Sequence, residues 1–239
     1  MGLHADFHIH SYVSDGEPSP TSIVRYSLRK GLNVISVTDH NSFLGSILAS
    51  RTAKDLRKVV VVCGAEIRTY WGDVLILCRE PIKIVRDPIE LRDEAQRNSC
   101  LLIPAHPFDV LRLGIGLRIK YDFLWDGFEL FNSSSDPMSN LMSFLYLKNM
   151  GRPLLSNSDA HTLEGVGVSK NIIETNDPNP EEVLEAIRRG LIKPMPSYSI
   201  PAWIFKLRWS FRTKPFQRLL KERHELLKRL RELHPHLLT

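Results

Sequence analysis

An α/β fold with a largely parallel sheet or barrel is predicted by three features of the sequence. Strand-like and helix-like segments alternate from residue 4 to residue 189. Some strands are continuous apolar runs, such as VVVV at 59–62, which suit a sheet covered on both faces. The helical segments are bounded by recognisable start and stop residues. Strands are expected at 4–10 (HADFHIH), 34–39 (VISVTD), 59–67 (VVVVCGAEI), 73–78 (DVLILC), 101–105 (LLIPA), 127–131 (GFELF) and 153–157 (PLLSN). Pro20 and Thr21 open a helix that runs to Lys30 and stops at Gly31, and Ser42 can cap another through about Lys58. Further helical patterns cover 88–98, 137–150 and 180–189, the last two with Pro near the start and Gly just past the end.

The chain has 239 residues, which suits one large domain or two small ones. With 43% hydrophobic and 25% charged residues it is ordinary for a globular protein, so wholesale disorder is excluded. No run of about 18 apolar residues is present, so no transmembrane segment is expected. The chain opens MGLHADFHIH, with histidines where the apolar stretch of a secretory leader would lie. Cys63, Cys78 and Cys100 sit in apolar runs without C-x-x-C spacing and read as reduced core cysteines. A cytoplasmic location is therefore expected.

Charge divides the chain in two. Residues 202–239 carry ten Lys+Arg and three Glu, a net of +7, whereas residues 1–201 carry a net of −2. The expected organisation is a slightly acidic body at 1–201 followed by a basic, aromatic-rich, amphipathic extension at 202–239.

Ligand sites in α/β sheets and barrels form at the carboxyl ends of strands, and the chemically useful residues fall there. In Asp6-Phe7-His8-Ile9-His10 a period of two puts Asp6, His8 and His10 on one face. Imidazoles two residues apart are about 7 Å apart along a strand and can share one metal once the strand twists. Alone, this segment equally suits a half-buried strand with polar residues facing water. Asp15 follows in the next loop, Thr38-Asp39-His40 ends the second strand, and Gly64-Ala65-Glu66 lies near the end of the third. Ala105-His106-Pro107 and Ser158-Asp159-Ala160-His161 follow two later strands. A lone histidine is usually a satisfied core residue. Five such segments at successive strand ends point instead to bound Zn²⁺, Mn²⁺ or Fe²⁺.

These motifs, in this order, resemble those of the PHP family, the polymerase and histidinol phosphatase metal-dependent phosphoesterases, from His8 to about Gly190. The resemblance implies a distorted (β/α)7 TIM-like barrel, here with a C-terminal basic helical extension, and two or three divalent ions at the strand ends. It implies that His8, His10, Glu66 and Asp159 hold one ion, that Glu66 bridges to a second held by His106, and that Asp15, His40 and His161 hold a third. At the remaining position of the second site this chain reads Gly-Phe-Glu-Leu-Phe-Asn-Ser, with Asn132 at the expected place and Glu129 as the alternate donor. Asp6 and Asp39 adjoin these residues and are expected to assist catalysis by orienting imidazoles. A loop or capping role is the competing reading for Asp39.

The chemistry supported is hydrolysis of a small phosphomonoester by metal-bound hydroxide at a di- or trinuclear site. No Ser or Cys nucleophile motif is present or required. Segment 106–121 contains Arg112 and Arg118 on either side of Gly114 and Gly116, so it is either a loop closing over the substrate or an ordinary surface turn. Arg68, two residues past Glu66, is a further phosphate-contact candidate.

In the extension, WIFKLRWSFR at 203–212 alternates aromatic and cationic residues as a strand would for nucleic acid or a membrane interface. As a helix it groups Trp203, Ile204, Leu207 and Phe211 into a stripe that packs on the body, and this reading is preferred. From Gln217 onward, leucines form an amphipathic helix surrounded by Arg and Lys. Residues 202–239 are thus a candidate contact for nucleic acid or protein. A nuclease or oligonucleotide phosphodiesterase gripping its substrate with this extension is the alternative enzyme, and a metal-stabilised interaction module the non-catalytic one.

Overall fold

A computed structural model describes residues 2–175 and 178–209. In chain order the elements are β1 (Leu3–Asp6), α1 (Pro20–Arg29), β2 (Val34–Ile35), α2 (Leu44–Leu56), β3 (Val60–Val61), β4 (Cys63–Arg68), β5 (Asp73–Cys78) and α3 (Pro88–Arg97). Then come β6 (Leu101–Pro104), β7 (Phe128–Asn132), α4 (Pro137–Leu147), β8 (Leu154–Asn157), β9 (Lys170–Ile173), α5 (Pro180–Arg188) and β10 (Ile192–Met195). A further helix, α6, is described over 200–209.

Four helices start with the same device. Ser19-Pro20, Asp87-Pro88, Asp136-Pro137 and Asn179-Pro180 each place a capping side chain just before a proline in the first turn. The cap oxygen accepts a backbone N–H of that turn, while proline has no N–H to leave unpaired. This is why these helices begin where the sequence places them. The second helix starts at Leu44, whose N–H is bound by Ser42 Oγ at 3.2 Å.

The strands form a five-stranded sheet, β10-β9-β1-β2-β3, a three-stranded sheet, β4-β5-β6, and a two-stranded sheet, β7-β8. The fold is therefore mixed α/β as expected, but the sheets are not largely parallel. Parallel pairing joins β1–β2, β2–β3 and β7–β8, whereas β1–β9, β9–β10, β4–β5 and β5–β6 are antiparallel. The turn Thr69–Gly72 is far too short for the crossover that parallel strands need, so β4 and β5 must form a hairpin. Neither β9 nor β10 was signalled by the sequence; both are short and carry little alternation. Among the described residues the sheets do not close into one hydrogen-bonded barrel. They touch through isolated bridges, Ile9 to Ala160 and His40 to Glu66.

The single strand expected over 59–67 divides at Val62. Its first part pairs with β2, and its second turns away to pair with β5. That turn is what delivers Glu66 to the end of β2. Three buried apolar clusters fill the interior, centred on β4–β6 with α3, on β1 with β5 and α5, and on α1–α2 with β2.

The cysteines correct the sequence reading. Cys78 and Cys100 are joined by a disulfide, with Cα atoms 4.4 Å apart. Leu77 pairs with Leu101 in the antiparallel register, so the next pair along is Cys78 and Cys100, directly opposed. Linear spacing carries no trace of such a pairing. Cys63, opposite Cys78 on the other side, is a free thiol, and burial pushes it up to about 12. No helix among the described residues is long and apolar enough to cross a membrane.

Candidate metal centre

After β1 the chain stays extended to His10, whose N–H donates to the carbonyl of Ala160 at 2.8 Å. Asp6, His8 and His10 are fully buried, and so are Phe7 and Ile9 on the other face. The water-facing reading of this segment is thereby removed. Glu66 arrives from β4, His106 follows β6, Asp159 and His161 follow β8, and Asp15 and His40 sit on the loops after β1 and β2.

One carboxylate organises the centre. Glu66 Oε2 lies 3.0 Å from His40 Nδ1, 3.2 Å from His10 Nε2 and 3.5 Å from His8 Nε2, and its Oε1 lies 3.0 Å from His106 Nε2. Asp15 stands 3.2 to 3.5 Å from nitrogens of His161, His10 and His40. Asp159 Oδ1 is 3.4 Å from both His10 and His161 and 3.7 Å from His8. Four groups of three donors have their atoms within 4.8 Å of one another: His8–Glu66–His106, His8–His10–Asp159, His10–His40–Glu66 and His10–Asp15–His161. All eight His, Asp and Glu residues expected to hold ions are brought together.

These donors fit divalent ions. Asp159 Oδ1 and His40 Nδ1 are buried without a hydrogen-bond partner although each faces groups of opposite kind, as lone pairs aimed at a shared point would. The electrostatics agree. Burial opposes charge on His8, yet Asp159, Glu129 and Glu66 push its imidazole up to about 10. Against the same penalty, Glu66 and Asp15 push His40 up to about 9. Glu66 is held well below the usual carboxylate range by His40 and His8, and Asp159 by Arg112, Lys206 and His8, both in spite of burial. His161 differs: burial drives it down to about 4.

The residues behind the donors correct several expectations. Asn132 turns its amide oxygen to the N–H of Ser134 at 2.9 Å and its Nδ2 to Glu129 and Asp159 at 3.0 and 3.1 Å. It acts as a donor to two carboxylates, while its oxygen is turned to the Ser134 backbone. Glu129 is no substitute ligand either. Its Oε1 accepts from His8 Nδ1 and Asn157 Nδ2, and its Oε2 from His106 N and Asn132 Nδ2, so it fixes the ring of His8 from behind. Asp6 touches no imidazole; it accepts from Ser158 Oγ, Ser158 N and Gly167 N, and so anchors the turn that carries Asp159. Asp39 binds Ser11 N and Oγ and Ser14 Oγ, and reaches His10 Nδ1 only through that last hydroxyl, 3.4 Å away. Backbone strain marks the same place: Asn41, His106 and Asp159 adopt left-handed φ of 50°, 30° and 51°.

Of the three arginines expected at the substrate, the structure brings in one. Arg112, in the turn Val110–Arg112, donates to Asp159 Oδ2. Arg68 is committed to a two-pronged pair with Asp73, its cross-strand neighbour, at 3.0 Å for each bond. Arg118 is exposed and reaches the carbonyl of Trp71. A cation not foreseen, Lys206 of α6, buries its Nζ beside the centre; burial and Arg112 hold it down to about 7.

Helix α6 also overturns the expected apolar stripe. Trp203, Ile204 and Leu207 are 45%, 45% and 59% exposed, while Ala202, Lys206 and Trp209 turn inward. The exposed side borders an apolar pocket of 420 Å³ against Pro137 and Tyr198. A helix reading that puts hydrophobic residues inside points away from Lys206, because here the neighbour is a cluster of carboxylates. Phe211 and the amphipathic helix expected from Gln217 lie outside the described residues.

The PHP-associated family model matches residues 137–192. An uncharacterised protein of Methanocaldococcus jannaschii is 30% identical over 143 residues, 55% of this chain and 82% of that protein. A 5'-3' exoribonuclease of Haemophilus influenzae is 38% identical over 66 residues, 28% of this chain and 24% of that enzyme. A two-domain protein of Bacteroides vulgatus containing a predicted PHP-like metal-dependent phosphoesterase has the same fold, with a TM-score of 0.69 at 18% identity. That likeness covers 82% of this chain and 65% of the two-domain protein, just under two thirds of its length.

Proposed function

The chain belongs to the PHP family, and from this we propose that it hydrolyses a small phosphomonoester at a centre of two or three divalent ions. The observation that carries the reading is Glu66, one buried carboxylate with four imidazole nitrogens within 3.5 Å. A core histidine needs one partner, not a shared one. We assign one ion to His8, His10, Glu66 and Asp159, a second to Glu66 and His106, and a third to Asp15, His40 and His161. When bound, such ions supply Lewis-acid charge for phosphoryl oxygens and lower the pKa of water.

The chain's own residues prepare that chemistry. Glu129 accepts the Nδ1 proton of His8, which leaves the Nε2 lone pair facing Glu66 and Asp159. Asp6 clamps the Ser158 turn, so Asp159 keeps its strained geometry without help from a ligand. Arg112 holds fixed positive charge at Asp159. We read the three sheets as arcs of a distorted seven-stranded barrel, residues 1–201 as the metal-binding domain and 202–239 as its extension.

Elemental analysis coupled to a panel of nucleoside monophosphates, histidinol phosphate and single-stranded oligonucleotides tests this reading. Two or three ions per chain and chelator-sensitive turnover of a monoester are expected. Fully loaded protein that turns over nothing on the panel would overturn it. A second reading, attack on nucleic-acid ends, is favoured by the likeness to the Haemophilus influenzae exoribonuclease. It requires oligonucleotide binding that weakens steeply with salt and is lost on removing residues 213–239.

A further inference from the structure

Helix α6 is fastened beside the metal centre at two points. The indole N–H of Trp203 donates to the carbonyl of Ser133 at 2.8 Å, and that of Trp209 to the carbonyl of Asp15 at 3.0 Å. Ser133 follows β7 and Asp15 lies on the loop after β1, so the helix links two loops of the site. Lys206 stands midway between the two anchors. Its stem is half-buried, and its Nζ is shielded from solvent within electrostatic reach of Asp159, Asp15, Glu66 and Arg112. Arg112 comes from a different element, the turn after β6, and meets the same Asp159.

Hydrophobic burial does not explain this docking. The helix leaves Trp203, Ile204, Phe205 and Leu207 exposed and presents a lysine inward. Charge explains it better. Two cations gathered in a shielded place repel each other unless an anion lies between them. Asp159 is shared by both, and the carboxylates within reach of Lys206 (Asp159, Asp15 and Glu66) are all candidate ligands for ions, so bound ions would draw on the same negative charge.

We infer that Lys206 and Arg112 form a two-cation clamp for the terminal phosphate of the substrate, with Lys206 favouring a dianionic monoester over a monoanionic diester. This rests on the phosphoesterase reading above. The clamp is made of a strap helix and a loop, so it lies outside the motifs that hold the ions. A terminal phosphate on a small metabolite and one on an oligonucleotide end share this chemistry.

The test is calorimetric titration of metal-loaded protein with inorganic phosphate, with metal content measured on the same samples. Lys206→Gln is expected to weaken phosphate binding about 10- to 100-fold, the loss of a charge-assisted hydrogen bond, with metal content unchanged. Lys206→Arg is expected to recover most of that loss, which a merely structural lysine would not require. In parallel, Lys206→Gln should raise KM for p-nitrophenyl phosphate more than for bis(p-nitrophenyl) phosphate. 5'-Phosphorylated and unphosphorylated oligonucleotides separate the two sources of the phosphate. Equal phosphate affinity in wild type and Lys206→Gln, both fully loaded, would overturn the clamp and leave the phosphoesterase reading standing. Wild-type protein that is loaded, binds no phosphate and turns over nothing would overturn both.

Discussion

The floor of the centre and its cover are built on opposite terms. The floor consists of His8, His10, Glu66, His106 and Asp159 on strands and strand ends, all buried, with His8 held from behind by Glu129 and the turn of Asp159 by Asp6. The cover consists of the turn at 110–112 and helix α6, where Val110 and Leu111 are 82% and 95% exposed and only single side chains reach inward. The floor tolerates strain because its neighbours over-determine it, whereas the cover is fastened by a few hydrogen bonds. On the function proposed above, chemistry and specificity would have separate physical supports, the floor for the ions and the cover for the anion that meets them.

The comparison breaks most readily at the floor. Asp159→Asn removes one charge from the ion assigned to His8, His10 and Glu66, and should lower metal content and cut turnover by more than about 100-fold, beyond what a supporting residue costs. Metal content by elemental analysis is the check. Glu129→Gln acts one step back. Four donors converge on this carboxylate, so an amide sets N–H against N–H and loosens His8. Metal affinity should fall about 10- to 100-fold with the fold intact by circular dichroism.

Acid probes the same floor more gently. With pKa values of about 10 and 9, His8 and His40 hold protons at neutral pH when no ion is bound, and an ion must displace them. Metal affinity should therefore rise with pH, by about tenfold per pH unit for each proton displaced, most steeply below about 9 and levelling near 10. Proton release on adding Zn²⁺ to weakly buffered protein measures it. His161, already neutral at about 4, contributes none.

Two further variants serve as controls away from both regions. Cys78→Ser removes a bridge that spans 22 residues at the far end of β5 and β6. It should cost about 3 kcal/mol and lower the unfolding midpoint by about 6 to 12 °C, with metal content unchanged. Arg68→Ala breaks a pair with the buried carboxylate of Asp73. Leaving that carboxylate without its two donors should cost about 1 to 3 kcal/mol, with phosphate binding as it was. A large loss of phosphate affinity there would return Arg68 to the cover.

The legible and illegible parts divide along the same line. Capping side chain and proline together mark four helix starts, because both act within one turn. The floor is legible because ligand chemistry restricts residue type and strand ends restrict place, so His8, Glu66, His106 and Asp159 stand out one motif at a time. From the sequence Asn132 is a candidate ligand and Glu129 the alternate donor, and neither is legible as a support. Whether a carboxylate or amide faces an ion or the back of a ligand depends on side-chain direction, which linear order does not encode.

What the sequence determined by itself is which His, Asp and Glu side chains gather, four helix starts and the alternation of α and β, all consequences of short-range chemistry or of restricted residue type. Tertiary structure alone decided the cross-strand partner of Cys78, the division of the 59–67 strand, the antiparallel hairpin and the inward face of α6. Each of those depends on which distant surface lies opposite. Lys206 shows the reason most plainly. Hydrophobicity assumes an apolar neighbour, and only the folded chain reveals that the neighbour of this helix is a ring of carboxylates.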